Sequence, residues 1–230
     1  MEVLDRLLES LFPARCVGCG RPPTALCSAC LGRAPAAPTA APPVPIDGWV
    51  AAFAYEGAVR EALARLKYRN ARCTLPALAA ALVERLRAEA LGPIDVVTWP
   101  PTTAERRRSR GFDQAEQLAR AVGRGLGAPV RPCLTRRAGP SQTGRSARER
   151  HRGPAFGSDP VDGLRVLVVD DVTTTGATLT AAARAHRSAG AGRVAAATVA
   201  RTPRRGGPAS TSDADRSPPA QDRPAGRRDP

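Results

Sequence analysis

Residues 166–178, Val-Leu-Val-Val-Asp-Asp-Val-Thr-Thr-Thr-Gly-Ala-Thr, restrict the possible folds of this chain more than any other stretch. The apolar, largely β-branched run 166–169 is the pattern of a strand buried on both faces in a parallel sheet. It is predicted to stop at Asp170 and Asp171, because a buried strand does not carry adjacent carboxylates without partners. Threonines and Gly176 follow, and then a predicted helix over 177–189. A strand end, a hydroxyl- and Gly-rich turn and a helix N-terminus together make an anion site. Free N–H groups and the helix dipole converge there, and Gly176 would let a ligand approach the backbone. Carboxylates beside such a cradle suit a sugar phosphate, with Asp accepting from ribose hydroxyls and the turn holding the 5′-phosphate. An ordinary turn with Asp170 or Thr174 as helix cap is the plain alternative, but a cap needs only one polar residue. Beyond Gly190 and Gly192 a second apolar strand is predicted over 194–200, which completes a βαβ unit.

The 230 residues have room for one α/β domain and a small extra module. Lys and Arg outnumber Asp and Glu by 35 to 21, giving a net charge of +14. Lys67 is the only lysine. Such a balance favours polyanions: nucleic acid, nucleotides or phosphates. Between Glu105 and Arg152 there are 13 Arg against 4 acidic residues. That segment is either a solvated Arg-rich face or a loop pair around an anionic substrate. No run approaches the roughly 18–20 apolar residues of a membrane span. The first 12 residues carry Glu2, Asp5 and Glu9 among apolar positions at helical spacing. They read as an amphipathic helix and not as a signal peptide, so a cytoplasmic location is expected.

Four cysteines fall within 15 residues as Cys16-x-x-Cys19 and Cys27-x-x-Cys30. Paired knuckles of this kind place four thiolates around one structural Zn2+, with Gly18, Gly20 and Gly32 suited to the turns. Two disulfides are the alternative, in an oxidising compartment. Cys73 and Cys133 read as small buried residues, and His186 as a surface or packing residue in mid-helix.

The domain reading is a helix and metal module over 1–33, an extended Ala/Pro linker poor in contacts over 34–45, an α/β domain over 46–202, and a disordered tail over 203–230. Within the domain, strands are predicted over 49–55 and 94–99 and helices over 56–68, 75–91 and 112–126. Residues 134–157 read as a mobile loop.

Taken in order, four elements resemble the ComF family, proteins linked to competence and similar to type I phosphoribosyltransferases. They are the four-Cys module; Tyr55 and Lys67-Tyr68; Arg106 through Arg110-Gly111-Phe112-Asp113-Gln114; and Asp170-Asp171 through Thr175-Gly176-Ala177-Thr178. Gln142, Arg150 and Phe156 add to the match, which spans about residues 12–202. The family usually has Asn where this chain has Asp113, and Val-Pro-Val-Pro where it has Thr98-Trp99-Pro100-Pro101. The Asn usual near His151 is missing, and the loop from Gln142 to Phe156 is slightly short.

The resemblance implies a type I phosphoribosyltransferase fold with an N-terminal zinc module, and binding of phosphoribosyl diphosphate (PRPP) with Mg2+. Asp170 and Asp171 would take the ribose hydroxyls and Mg2+-bound water. Thr174, Thr175, Gly176, Ala177 and Thr178 would hold the 5′-phosphate. The turn at Pro100, Pro101 and Thr102 would face diphosphate, with Arg106, Arg110 or Lys67 as charge partners. Lys67 reads equally well as an exposed helix end, and each of Arg106–Arg108 as part of a solvated loop. The acceptor, a base or amine, carries no recognisable motif. A chain that binds PRPP without transfer, contacting single-stranded DNA or competence proteins, is a second reading, and a PRPP-sensing regulator a third. With 2 Trp, 2 Tyr and 4 Phe, base stacking is poorly supplied.

Overall fold

The computed structural model describes residues 13–68, 72–89, 91–137 and 154–202. The N-terminal helix, the tail, and Gln142, Arg150 and His151 in the central segment lie outside the described residues. In chain order the elements are α1 (Ser28–Gly32), β1 (Gly48–Ala54), α2 (Gly57–Tyr68), a short 3-10 turn (Arg72–Thr74), α3 (Leu75–Ala88), β2 (Val96–Thr98), α4 (Ala104–Arg110), α5 (Gln114–Leu126), β3 (Leu134–Arg136), β4 (Phe156–Ser158), β5 (Arg165–Thr173), α6 (Ala177–Ser188) and β6 (Arg193–Arg201). Four strands form a parallel sheet in the order β1-β6-β5-β2, and β3 pairs antiparallel with β4.

Strand side chains alternate between two cores, as a period of two requires. Leu167 and Val169 pack with Leu78, Leu82, Leu118 and Val122 of α3 and α5. Val166 and Val168 face the other way, with Leu179, Ala182 and Ala183 of α6. This is a parallel sheet flanked by helices, the type I phosphoribosyltransferase fold expected from sequence.

Several elements differ from the sequence reading. β5 does not stop at the carboxylates; it runs to Thr173, because β6 continues to pair with it at Asp170↔Thr198 and Val172↔Ala200. Asp170 and Asp171 are half-buried on this last part of the strand. The expected loop 134–157 is anchored at both ends by β3 and β4, where Leu134 and Phe156 are buried. The expected linker does make contacts: Ala36 bridges to Phe53, Pro35 O accepts from Ala54 N, and Pro38 O accepts from Arg201. It thereby covers part of the edge strand β1. Cys133 is buried, but Cys73 is exposed. His186 is fully buried beneath β4, its Nδ1 2.9 Å from Ser158 Oγ, and burial pushes it down to about 4. It therefore packs as a neutral ring. Among the described residues no helix is long and apolar enough to cross a membrane.

Asp95 joins the entry of β2 to that of β5, accepting from Arg165 Nη2 at 2.6 Å and from Arg165 Nε and N at 2.8 Å. The guanidinium hydrogen bonds, and then the backbone N–H, hold the Asp95 carboxyl at about 2, below its ordinary 3.8. A depressed carboxylate pKa contributes stability above the unfolded value and loses it as pH falls through the folded one. Asp95→Asn is therefore expected to flatten the pH dependence of stability between about 4 and 2, read from denaturant melts across that window.

Candidate functional site

The site forms where β2, β5 and α6 bring their ends together. Its cavity, about 320 Å3, is lined by Pro100, Pro101 and Thr102 after β2, and by Arg106 and Arg110 of α4. Asp113 and Gln114 add the start of α5, Arg136 and Pro154 come from the β3–β4 pair, and Asp170, Asp171 and Thr178 complete the wall. Of the residues expected from sequence, Asp170, Asp171, Arg106, Arg110, Pro101, Thr102 and Thr178 thus share one cavity. Thr174, Thr175, Gly176 and Ala177 form the adjoining turn without lining it. Lys67 lies in the last turn of α2, and its side chain is outside the described residues. A larger open groove, about 850 Å3, runs between β4 and α6, but Asp162 is the only acid on its wall. Paired carboxylates facing cations occur only in the smaller cavity among those described.

Local sequence explains why α4 places its arginines here. Thr103 caps the helix by accepting from Arg106 N, Gly111 ends it in the left-handed conformation, and no residue of the helix is buried. Arg106 and Arg110 stand four apart on one face of it. With no apolar periodicity α4 escaped the sequence reading; its signal was the pair of cap residues, Thr103 and Gly111. Arg110 Nη1 donates to Gln114 Oε1 at 3.0 Å.

Asp113 is 3% exposed. Its Oδ1 accepts from Ala115 N and Glu116 N, capping α5, and its Oδ2 accepts from Thr102 N at 2.9 Å. All three bonds end on acceptor oxygens, which a carboxylate supplies in full at this position. A consequence falls on the turn. Proline has no N–H, so Pro100 and Pro101 donate nothing, and the N–H of Thr102 is committed to Asp113. Residues 100–102 therefore offer a ligand no free backbone donor.

At the other end Gly176 begins α6 with φ +81° and no side-chain cap. Ala177 N reaches Thr175 Oγ1 at 3.4 Å, a long contact that leaves the first-turn donors weakly engaged. The place of a Gly176 Cβ is not open to a ligand as expected: Trp49 Cη2 lies 2.6 Å from it, and Arg201 stacks on that ring at 4.2 Å. Gly176 is required by its backbone angle and by Trp49. Gly176→Ala is expected to cost roughly 2–4 kcal/mol from left-handed strain and overpacking, measured by denaturant unfolding.

The positive side of the cavity is crowded. The guanidinium of Arg136 is held below the usual arginine range, first by partial burial and then by the like charge of Arg106. Sequence reasoning missed Arg136, because a three-residue strand in an Arg-rich stretch gives no signal of which arginine turns inward.

Away from the cavity, the Sγ atoms of Cys16, Cys19, Cys27 and Cys30 lie within 4.8 Å of one another, a set that could hold a metal ion. Cys16 and Cys27 sulfurs are 3.6 Å apart, and Cys19 and Cys27 sulfurs 3.8 Å. Tetrahedral thiolates at about 2.3 Å from Zn2+ stand roughly 3.8 Å apart, so the spacing fits the metal. It is far too long for a disulfide, and all four cysteines are free. Gly18 N and Cys27 N both donate to Cys16 Sγ, at 3.4 Å each. Cys30 is pushed up to about 12 by its hydrogen bond to Cys27 and then by burial, so without a cation the four sulfurs do not all ionise. Gly18 has no alternative here, since a Cβ on it would meet Cys30 Sγ at 2.9 Å.

Among solved structures the chain is similar to glutamine phosphoribosylpyrophosphate amidotransferase from B. subtilis complexed with ADP and GMP. That match has 24% identity and a TM-score of 0.39, and covers 54% of this chain and 26% of the other. It is also similar to a purine phosphoribosyltransferase from Pyrococcus horikoshii Ot3, with 18% identity and a TM-score of 0.36 over 59% and 92% of the two chains. For UMP synthase from Leishmania donovani the values are 20%, 0.34, 61% and 24%. The chain thus spans about a quarter of the length of the amidotransferase and of the UMP synthase. No curated protein matches it. Residues 109–217 match the family model of the phosphoribosyl transferase domain, a stretch that takes in β5, α6 and the parallel pairing of β5 with β6.

Proposed function

We propose that the cavity binds PRPP with Mg2+ and that the protein transfers its phosphoribosyl group to a nitrogen nucleophile, releasing diphosphate. The observation that carries this is the convergence of Asp170 and Asp171 with Arg106 and Arg110 in one cavity, beside the uncapped N-terminus of α6. Asp170 and Asp171 accept from the ribose hydroxyls. The N–H groups at the start of α6, with Thr174, Thr175 and Thr178, hold the 5′-phosphate. Arg106 and Arg110 face the diphosphate. Oxygen donors such as Asp170 and Asp171 suit a hard divalent cation, directly or through water, and bound Mg2+ would neutralise charge between ribose and diphosphate oxygens.

In the transfer, the acceptor nitrogen's lone pair forms the N–C1′ bond as the C1′–O bond breaks. The bonding pair leaves with diphosphate, and the nitrogen's proton passes to solvent. The growing charge on the leaving oxygens is what fixed guanidinium groups stabilise. The test is diphosphate release from PRPP over a panel of bases and amines. Release that depends on one acceptor supports transfer; PRPP binding without release from any of them leaves a binding protein.

The finer assignment, to the ComF family with a role in competence and DNA uptake, rests on the pairing of this cavity with a four-Cys module that takes Zn2+. Binding without transfer, with contacts to single-stranded DNA or competence proteins, is favoured by Arg107 and Arg108. Both are exposed on α4 and absent from the cavity wall. An electrostatic contact of that kind weakens steeply with salt.

A further inference from the structure

If the cavity holds PRPP, diphosphate meets a turn with little to offer. Pro100 and Pro101 have no N–H, and that of Thr102 is spent on Asp113 at 2.9 Å. A multiply charged leaving group must then be met by side chains. Arg136 stands over this turn, donating through Nη1 to the Pro101 carbonyl at 3.3 Å. Its guanidinium also lies 5.6 Å from the Phe156 ring, so the strand facing β3 fixes its direction. It lines the same cavity as Arg106 and Arg110. A carbonyl contact and an aromatic ring do not neutralise a guanidinium, and Arg106 repels it. Beside it Gln114, 3% exposed, holds Arg110 through Oε1, while its Nε2 has no partner among the described residues. Guanidinium groups held close together in spite of their repulsion, next to a buried amide donor without an acceptor among the described residues, suit an anionic ligand at this end of the cavity.

We infer that Arg136 is a diphosphate-binding residue, reaching from the β3–β4 pair to the turn at Pro101 and replacing with a side chain the donors this turn has lost. The inference rests on the PRPP reading above and adds a residue from a separate part of the fold. A guanidinium fits two oxygens of a phosphate at once, so it would hold the diphosphate both in PRPP and after C1′–O cleavage.

The test is calorimetric titration of the full-length, zinc-loaded protein with inorganic diphosphate and, separately, with ribose 5-phosphate, each with Mg2+. Arg136→Gln and Arg136→Lys are compared with the unmodified chain, and thermal melts establish that both variants fold. The expected result is about a 10-fold or greater loss of diphosphate affinity in Arg136→Gln, partial recovery in Arg136→Lys, and unchanged ribose 5-phosphate binding. Unchanged diphosphate affinity in folded Arg136→Gln would overturn the inference. So would equal loss for both probes, which marks a structural residue. If the unmodified chain binds neither probe nor PRPP, the PRPP reading itself has failed, and this inference fails with it.

Discussion

Replacing Asp170 and Asp171 together by Asn is expected to abolish Mg2+-dependent PRPP binding while the protein stays folded. Asp171 N donates to Asp170 Oδ1 at 2.8 Å, and Val172 N to Asp171 Oδ1 at 2.6 Å. An amide oxygen can accept both, and β5 keeps its ladder with β6, so the backbone has no reason to move. What disappears is two negative charges and the second acceptor on each side chain. Hydrogen bonds to charged groups are worth about 1.5–3 kcal/mol each, so losing one ribose contact at each position weakens binding roughly 100-fold or more. Calorimetry on the double variant, with a thermal melt alongside, reads both halves of the expectation. Retained affinity in a folded double variant would move the ligand away from the end of β5.

Removing the metal from the four-cysteine cluster is expected to have the largest effect on stability. Cys16, Leu26 and Cys30 belong to the same core as the sheet and α2, so the module is not a separable appendage. Without a cation, four crowded sulfurs, two of them buried, lose the interaction that holds the knuckles together. Structural Zn2+ in isolated fingers is worth on the order of 10 kcal/mol. A sizeable part of that should appear as a lower melting temperature after chelation, reversed by adding Zn2+. Cys16→Ser should cost more than Cys19→Ser, since Cys16 is buried and accepts two backbone N–H groups, whereas Cys19 is exposed. Equal melting with and without chelator would show that packing alone holds the module.

Much of the sheet was legible because its strands alternate between two buried faces. Val166–Val169 carried its own signal, and so did the Ala-rich β6. The carboxylates were legible as a pair but not as strand residues, because the pairing that extends β5 past them is supplied by β6, about 25 residues later. α4 and the β3–β4 pair were not legible. One is a solvent-exposed run of arginines with only its caps to mark it; the other is two three-residue strands far apart in the chain. The gathering of Asp170, Asp171, Thr178, Arg106 and Arg110 followed from recognising two separate motifs. Arg136 had none, and only the register Arg136↔Phe156 brings it to the cavity. The role of Asp113 was likewise hidden, since a cap that also clamps Thr102 depends on a contact across the turn and not on residue type.

The most direct measurement is a calorimetric titration of PRPP with Mg2+ into the zinc-loaded protein. Saturable binding of one PRPP per chain, dependent on Mg2+ and lost in the Asp170→Asn/Asp171→Asn variant, is the expected result. No binding by the folded, metal-replete protein would contradict the assignment and leave a phosphoribosyltransferase fold that serves another ligand.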